Sequence, residues 1–404
     1  MTDEKKEVAV DYTLNNPDTL TKYKNAGEIS EKVLAAVKKL CVPGAKISEI
    51  CEKGDEILTE EISKVYRGKK INKGHVYYGA QLTIMCAGFA HPTTVSPSSF
   101  VTPYTPLKTD EAEAAVELKA GEAVKIQLGA QIDGLGSIVC DTIIVPEPSE
   151  IAGRDADLLL ATYYANEVLL RLMVPPGTLA TGTEEEKAKA ASVKPPTQSK
   201  INSILEKVVK TYECNLVEST TSWLFEHNDI ESKKRIILAP PEGTRGDGIP
   251  EIGEVWGVEV GVSQQSGKIK TLENRPTLHR RTKETYGLKR PTSRKILSEV
   301  QKKFGTFPFS LRQLDDERDA KSGVVECVRG NVFRQYEMVG DKDSAPVARL
   351  LTTVAITKNG VTKLGGPVPL DLEKVKSDKK ITDEEVLEIL ARPLRKEKKN
   401  KKKN

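Results

Sequence analysis

An α+β fold is what this sequence predicts, and three observations predict it. Apolar residues recur at helical spacing through two long stretches near the start of the chain. Further on, short runs alternate or fill with β-branched residues, as strands do when one or both faces are covered. A length of 404 residues, with 38% hydrophobic content and 29 glycines, suits a mixed globular chain that buries one large core or two ordinary ones.

Asn16-Pro17 opens the first helix, with Asn16 as N-cap and Pro17 at the tolerated first helical position. Leu20, Tyr23, Ile29, Val33, Val37 and Leu40 follow at helical spacing and define one buried face, and Pro43-Gly44 stops it. A second amphipathic helix is expected over Ser48 to Tyr66, through Ile50, Leu58, Ile62 and Val65. Val124 to Leu128 alternates as a strand, and Ile132-Asp133-Gly134 turns into a second strand, Ser137 to Val145. A helix fits Asp155 to Met173 and ends at Pro175-Pro176-Gly177. Gly182 to Gln198 has no apolar period and is expected as a charged loop, after which Ile201 to Tyr212 is helical.

The second half continues in the same style. Val255 to Val262 is a strand, Ser293 to Phe304 a helix, and Val347 to Thr357 a strand closed by an Asn359-Gly360 hairpin. Thr382-Asp383-Glu384-Glu385 forms a capping box for a last short helix within 371–391. The tail, 392–404, carries eight basic residues and one acid, with nothing apolar after Leu394, and is expected to be disordered, as is the N-terminal stretch 1–16.

Several function classes are excluded. No window approaches the roughly 18 continuous apolar residues of a membrane span. Met1 to Val10 is charged and lacks the apolar core of a secretory signal, so an intracellular place is expected. The cysteines Cys41, Cys51, Cys86, Cys140, Cys214 and Cys327 are scattered, giving neither a zinc ribbon nor a disulfide framework. His75, His91, His227 and His279 show no ligand spacing, and no P-loop, GxSxG elbow or dinucleotide fingerprint is present.

The segment Leu118 to Gly134 (LKAGEAVKIQLGAQIDG) carries a resemblance. It resembles the paired strands of the pita-bread fold shared by methionine aminopeptidases, prolidases and creatinases. Thr21 to Lys24, Cys51 to Asp55, Pro106 to Asp110, Tyr286 to Lys289, Thr292 to Arg294 and Gly323 to Cys327 extend the similarity in one order along the chain. Together they resemble the proliferation-associated, curved-DNA-binding branch of the type II methionine aminopeptidase family, in a fungal-like form. The resemblance implies one pita-bread domain over 17–370, with a small helical insertion at about 175–235.

Active members of that family bind two divalent metals through two aspartates, a histidine and two glutamates, which activate water and polarise the scissile carbonyl. Carried over by position, the resemblance puts Gln127 and Ile138 at the aspartate places, Trp223 at the histidine place, and Glu259 and Leu351 at the glutamate places. A substrate-contacting histidine falls at Pro103. One carboxylate cannot hold a dinuclear site. Asp133 and Asp141 do not rescue it, because Asp141 is three residues from Ile138 and should point to the opposite face of the strand. The resemblance therefore implies no catalysis, no metal and no cofactor, with Glu259 paired or facing solvent. Gly74 to Ala87 interrupts the similarity, as either a surface insertion or a retained intron.

Net charge is only +4, but its distribution is uneven. Lys268, Lys270, Arg280, Arg281, Lys283, Lys289, Arg290, Arg294 and Lys295 form one basic stretch, and Arg395, Lys396, Lys398, Lys399, Lys401, Lys402 and Lys403 form another. Such irregular spacing suits phosphates, with Tyr286 and His279 as stacking surfaces; base-specific readout is not expected. The resemblance adds ribosome or structured-RNA association, or curved DNA, and a monomer shared between cytoplasm and nucleus or nucleolus. A residual metallo-aminopeptidase and a protein-interaction adaptor in signalling or transcription are the alternatives.

Overall fold

The structure is a computed structural model, and it describes residues 10–65 and 87–396. The N-terminal half runs through α1 (Pro17–Leu40), α2 (Ile47–Lys64), β1 (Ala87–Pro97), a single turn α3 (Glu111–Ala114), β2 (Glu122–Ile132), β3 (Leu135–Val145) and β4 (Ile151–Ala152). Next come α4 (Gly153–Leu172), α5 (Glu184–Ala191), α6 (Gln198–Thr211), β5 (Asn215–Leu216), β6 (Thr220–Phe225) and β7 (Arg235–Leu238). The chain continues with β8 (Val255–Ser263), β9 (Ile269–Thr271), β10 (Leu278–Arg281), α7 (Pro291–Lys303), β11 (Pro308–Ser310) and α8 (Glu317–Arg329). It closes with β12 (Phe333–Gln335), β13 (Val339–Asp341), β14 (Val347–Thr357), β15 (Gly360–Gly365), β16 (Val375–Lys376) and α9 (Glu384–Ala391).

A nine-stranded sheet organises these elements in the order β1-β2-β3-β14-β8-β6-β7, with β15 on β14 and β5 on β8. Its pairings are antiparallel, which leaves each face free to do something different. One face is buried under helices. Val124, Ile126, Leu128, Val139 and Ile143 meet Ile29, Val33, Val37 and Leu58 of α1 and α2. Val258, Val260, Val262 and Trp256 meet the apolar stripes of α4, α6 and α9. Each fully buried aliphatic side chain contributes roughly 1.5–3 kcal/mol, far more than helix propensity can add, so the helix stripes set the strand register. At Gly27 the approach is close enough to need glycine: a Cβ there would lie 1.8 Å from the carbonyl oxygen of Leu364.

The alternation of strand residues puts Gln127, Ile138, Cys140, Leu351 and Glu259 on the other face, and there the smaller unit of α7, α8 and β10–β12 packs against the sheet through β11 and β1. Ile296, Val300, Phe304, Phe309, Val324, Cys327 and Phe333 make the core of that unit.

Several expectations need correction. Gly182 to Gln198 contains α5, started by a capping box between Thr183 and Glu186; it buries no side chain, so it leaves no apolar period to read. The region 175–235, where a helical insertion is expected, packs into the main body of the fold. Ile201, Ile204, Leu205, Val208 and Val209 of α6 sit in the main core, and β6 is a strand of the main sheet. Asp383, rather than Thr382, caps α9, accepting from the Val386 N–H at 3.1 Å. Thr357 pairs with Gly360, so the hairpin turns at 358–359 and Gly360 follows at φ +103°. Residues 10–16, within the stretch expected to be disordered, are held by Tyr12 stacking on His227 at 3.6 Å. The tail is docked as far as Lys396, because the free edge at Asn359–Val361 takes it up: Val361 N–H donates to Leu394 and Lys396 N–H to Asn359. Gly74 to Cys86, and with them His75, lie outside the described residues, as do residues 397–404 with Lys398, Lys399, Lys401, Lys402 and Lys403. Among the described residues, Cys41, Cys51, Cys140, Cys214 and Cys327 are free and buried. No helix among them is long and apolar enough to cross a membrane.

Candidate functional site

The open face of the sheet carries a straight row of side chains. Gln127 of β2 pairs with Cys140 of β3, Cys140 with Leu351 of β14, and Leu351 with Glu259 of β8. Residues paired across antiparallel strands share a face, as do residues two apart along one strand. That places Ile138 beside Cys140 and Arg349 beside Leu351. Gln127, Ile138, Leu351, Arg349 and Glu259, together with Trp223 of β6, line one cavity of about 260 Å³, which also includes His91, Pro103, Phe225 and Tyr336. All five positions singled out from the sequence, Gln127, Ile138, Trp223, Glu259 and Leu351, therefore face one space. Gly257 makes the aromatic wall possible: a Cβ there would lie 2.3 Å from the Phe225 ring.

The floor is a chain of hydrogen bonds centred on Arg349. Its Nε donates to Glu259 Oε1 at 2.8 Å, and an Nη reaches the same oxygen. The guanidinium also donates to Gln127 Oε1 at 3.2 Å and to the Val101 carbonyl at 3.0 Å. With its oxygen engaged by Arg349, the Gln127 amide turns its Nε2 to His91 Nε2 at 3.1 Å. His91 Nε2 must then accept, and its protonated Nδ1 donates to the Pro92 carbonyl at 2.7 Å. Burial, with a smaller push from Arg349, brings the His91 pKa down to about 4, so the neutral ring this chain requires is the stable one. For Arg349 itself burial acts downward, yet the Glu259 carboxylate more than offsets it and the pKa ends above its ordinary value.

Behind this floor, two residues along β2 from Gln127, lies Lys125. It is fully buried, and its ammonium donates to the Ser98 carbonyl. Burial first, and Arg349 second, push its pKa down to about 7. Cys140, in the same row, is pushed up to about 12 by burial and is an inert thiol.

The donor set of the metal pair that the fold family implies is not matched by the residues here. Of the positions facing the cavity, Gln127, Ile138, Trp223 and Leu351 offer no carboxylate or imidazole. Glu259 Oε1, Gln127 Oε1 and His91 Nε2 are each engaged in the Arg349 network. Hard divalent cations need several anionic oxygens at once. Among the described residues no group of three His, Cys, Asp or Glu side chains could hold a metal ion. Asp141 looks away, ion-paired to Lys38 of α1, as strand phase requires, and Asp133 lies in the turn between β2 and β3, paired with Lys22 at 2.8 Å.

The structure divides the internal basic stretch. Lys268, just before β9, and Lys270, on it, are exposed; Lys268 lies 3.7 Å from Glu218, and Lys270 donates to Ser344 and the Lys342 carbonyl. Arg280 is held by Asp229 and Glu231, each at 3.3 Å, and is not free for a ligand. Arg281 is half-buried, and Lys283 is exposed near Asp229 at 3.4 Å. Lys289 and Arg290 precede α7; their N–H groups donate to Glu326, while their side chains are exposed and make no ion pair among the described residues. Arg294 donates to the Leu288 and Lys289 carbonyls, and Lys295 pairs with Asp319 at 2.6 Å. Arg395 and Lys396 are anchored through backbone with exposed side chains. His279 is fully buried and offers no stacking surface, because β10 is the middle strand of its small sheet; Tyr286 is 52% exposed.

Sequence reading missed Arg349 and Lys125. The signal for Arg349 was a charged residue inside the apolar run Val347 to Thr357, in phase with Leu351; for Lys125 it was phase with Gln127.

Comparison with known proteins accords with this geometry. The model of "Metallopeptidase family M24" matches residues 21–188. The "Curved DNA-binding protein" of Schizosaccharomyces pombe is 39% identical over 402 residues, 98% of this chain and 96% of that one. Among solved structures, "a thermophilic Arx1" superposes with a TM-score of 0.89 at 68% identity, covering 94% of this chain and all of the other. A methionine aminopeptidase of Thermotoga maritima gives a TM-score of 0.52 at 16% identity over 87% of this chain and 98% of its own, a likeness of fold alone. This chain belongs to metallopeptidase family M24, with the pita-bread fold of the methionine aminopeptidases, in the branch of the curved DNA-binding protein.

Proposed function

We propose that this chain is a non-catalytic member of its family that binds nucleic acid, as rRNA, structured RNA or curved DNA, and works on ribosomes or pre-ribosomes in cytoplasm and nucleus. The observation that carries the first half is the Arg349–Glu259 pair, which commits the one carboxylate at the five positions to a guanidinium. For the second half, support comes from the name of the relative from Schizosaccharomyces pombe, which says that it binds curved DNA, and from the exposed cations. Lys289, Arg290 and Arg294 gather at the N-terminal end of α7, whose first turn holds no acid. Arg294 is tied back to the Leu288 and Lys289 carbonyls, whereas the exposed Lys289 and Arg290 side chains make no ion pair among the described residues and are the ones available to phosphates. Ribosome association rests on the family resemblance.

Pelleting the protein with ribosomes, and titrating it with RNA and with curved DNA, over a salt series tests the binding. Affinity should fall linearly with log salt concentration. A salt-insensitive profile would favour the adaptor reading. Stoichiometric cobalt or manganese together with release of N-terminal methionine would sink the non-catalytic reading.

A further inference from the structure

We infer that Arg349 is a built-in cation that determines the specificity of the pocket, replacing a bound divalent metal in holding the floor together and keeping such a metal out. The inference rests on the non-catalytic reading and adds a cause to it: absent carboxylates explain weak binding, whereas Arg349 opposes binding actively.

Three features carry it. First, the guanidinium spans the distance a metal centre would have to span: it joins Glu259 on β8 to Gln127 on β2 and to the Val101 carbonyl, from its own place on β14. Its planar fork can serve these acceptors at once, and it stays charged at every pH the fold survives. Second, the bonds propagate, since Gln127 is oriented by Arg349 and in turn engages His91 Nε2. The atoms best suited to a cation are thus in use, and displacing Arg349 would leave a buried charge without a partner. Third, the local charge is already balanced, since Glu259, the one carboxylate at the five positions, is matched by one guanidinium. A divalent ion brought to Glu259 would sit within a few ångströms of that guanidinium, in an interior that screens charge poorly.

The test restores carboxylates with and without Arg349. Gln127→Asp, Ile138→Asp and Leu351→Glu are combined in the full chain, once with Arg349 kept and once with Arg349→Ala, and Mn²⁺ binding is measured by titration calorimetry. The chain lacking Arg349 should bind Mn²⁺ at least about tenfold more tightly. Should the triple background fail to fold, the natural chain and Arg349→Ala alone are compared by the rise of Tm with Mn²⁺ against chelator, which should appear in the variant alone. Equal Mn²⁺ responses with and without Arg349, in whichever background folds, overturn the inference. Methionine release by the natural chain would instead overturn the non-catalytic reading, so the two failures are told apart.

Discussion

At the floor of the pocket, Arg349, Gln127 and His91 are buried, Glu259 is partly exposed, and all four are partnered through one hydrogen-bonded chain. At the corner before α7, Lys289 and Arg290 are exposed and make no ion pair among the described residues. Both regions carry cations, but their energetics have opposite sign. Buried charge is costly unless it is matched, so the floor is tightly coupled and intolerant of single changes. Exposed charge is screened and nearly neutral for stability, which leaves it available to a partner. The lesson is that position in the sheet, and not residue type, decides whether an arginine here belongs to the fold or to a ligand.

The largest expected effect strikes the floor. Glu259→Ala leaves Arg349 buried and unmatched and should cost about 3–5 kcal/mol in a denaturant melt, whereas adding Arg349→Met should recover most of that loss. The pair Lys289→Ala and Arg290→Ala should change stability by no more than about 0.5 kcal/mol. Equal costs at the two sites would break the comparison.

A smaller effect is expected from acid. The His91 pKa is about 4 in the folded state, below its ordinary value, so between the two the unfolded chain binds the extra proton. Stability should therefore fall as pH drops from about 6.5 through about 4, by roughly 3 kcal/mol from this group. His279, buried and likewise brought down to about 4, contributes in the same window. His91→Gln keeps an acceptor for Gln127 without the titration, and should remove about half of the acid-induced loss in thermal melts at stepped pH. An unchanged acid limb would show that the floor is less dry than its geometry states.

The smallest effect on stability should accompany a clear effect on binding. Lys289→Ala with Arg290→Ala should lower the salt slope of RNA binding by about 1 for each phosphate left unneutralised, with Tm unmoved. Trimming the tail sharpens this if the cut falls after Lys396. A cut before Arg392 would also remove the pairing of Leu394 and Lys396 with Asn359–Val361 and confuse binding with folding.

Much of the architecture was legible because it is local. The Asn16 cap and the α1 stripe, the turn at Asp133-Gly134, and the strands around Val124, Val255 and Val347 are written in spacings of two to four residues. What escaped has identifiable causes. The α5 helix is stabilised by its cap and exposed pairs and leaves no apolar stripe. The β1 strand is broken by irregular register around His91 and mixes Pro, Gly and Thr, so neither period shows. The tail as far as Lys396 is ordered by a strand edge supplied from elsewhere in the chain.

By itself, then, the sequence determined α1, α2, α4, α6, α7 and α9 and the turn between β2 and β3, and that Gln127, Ile138, Trp223 and Leu351 are not acids. Only the tertiary structure decided that these residues share a cavity and that Arg349 stands among them. Cross-strand register is non-local: Arg349 reaches Gln127 across a separation of 222 residues, and no spacing along the chain encodes which face of β14 will lie against which face of β2. The same guanidinium on the opposite phase of its strand would lie under the helices.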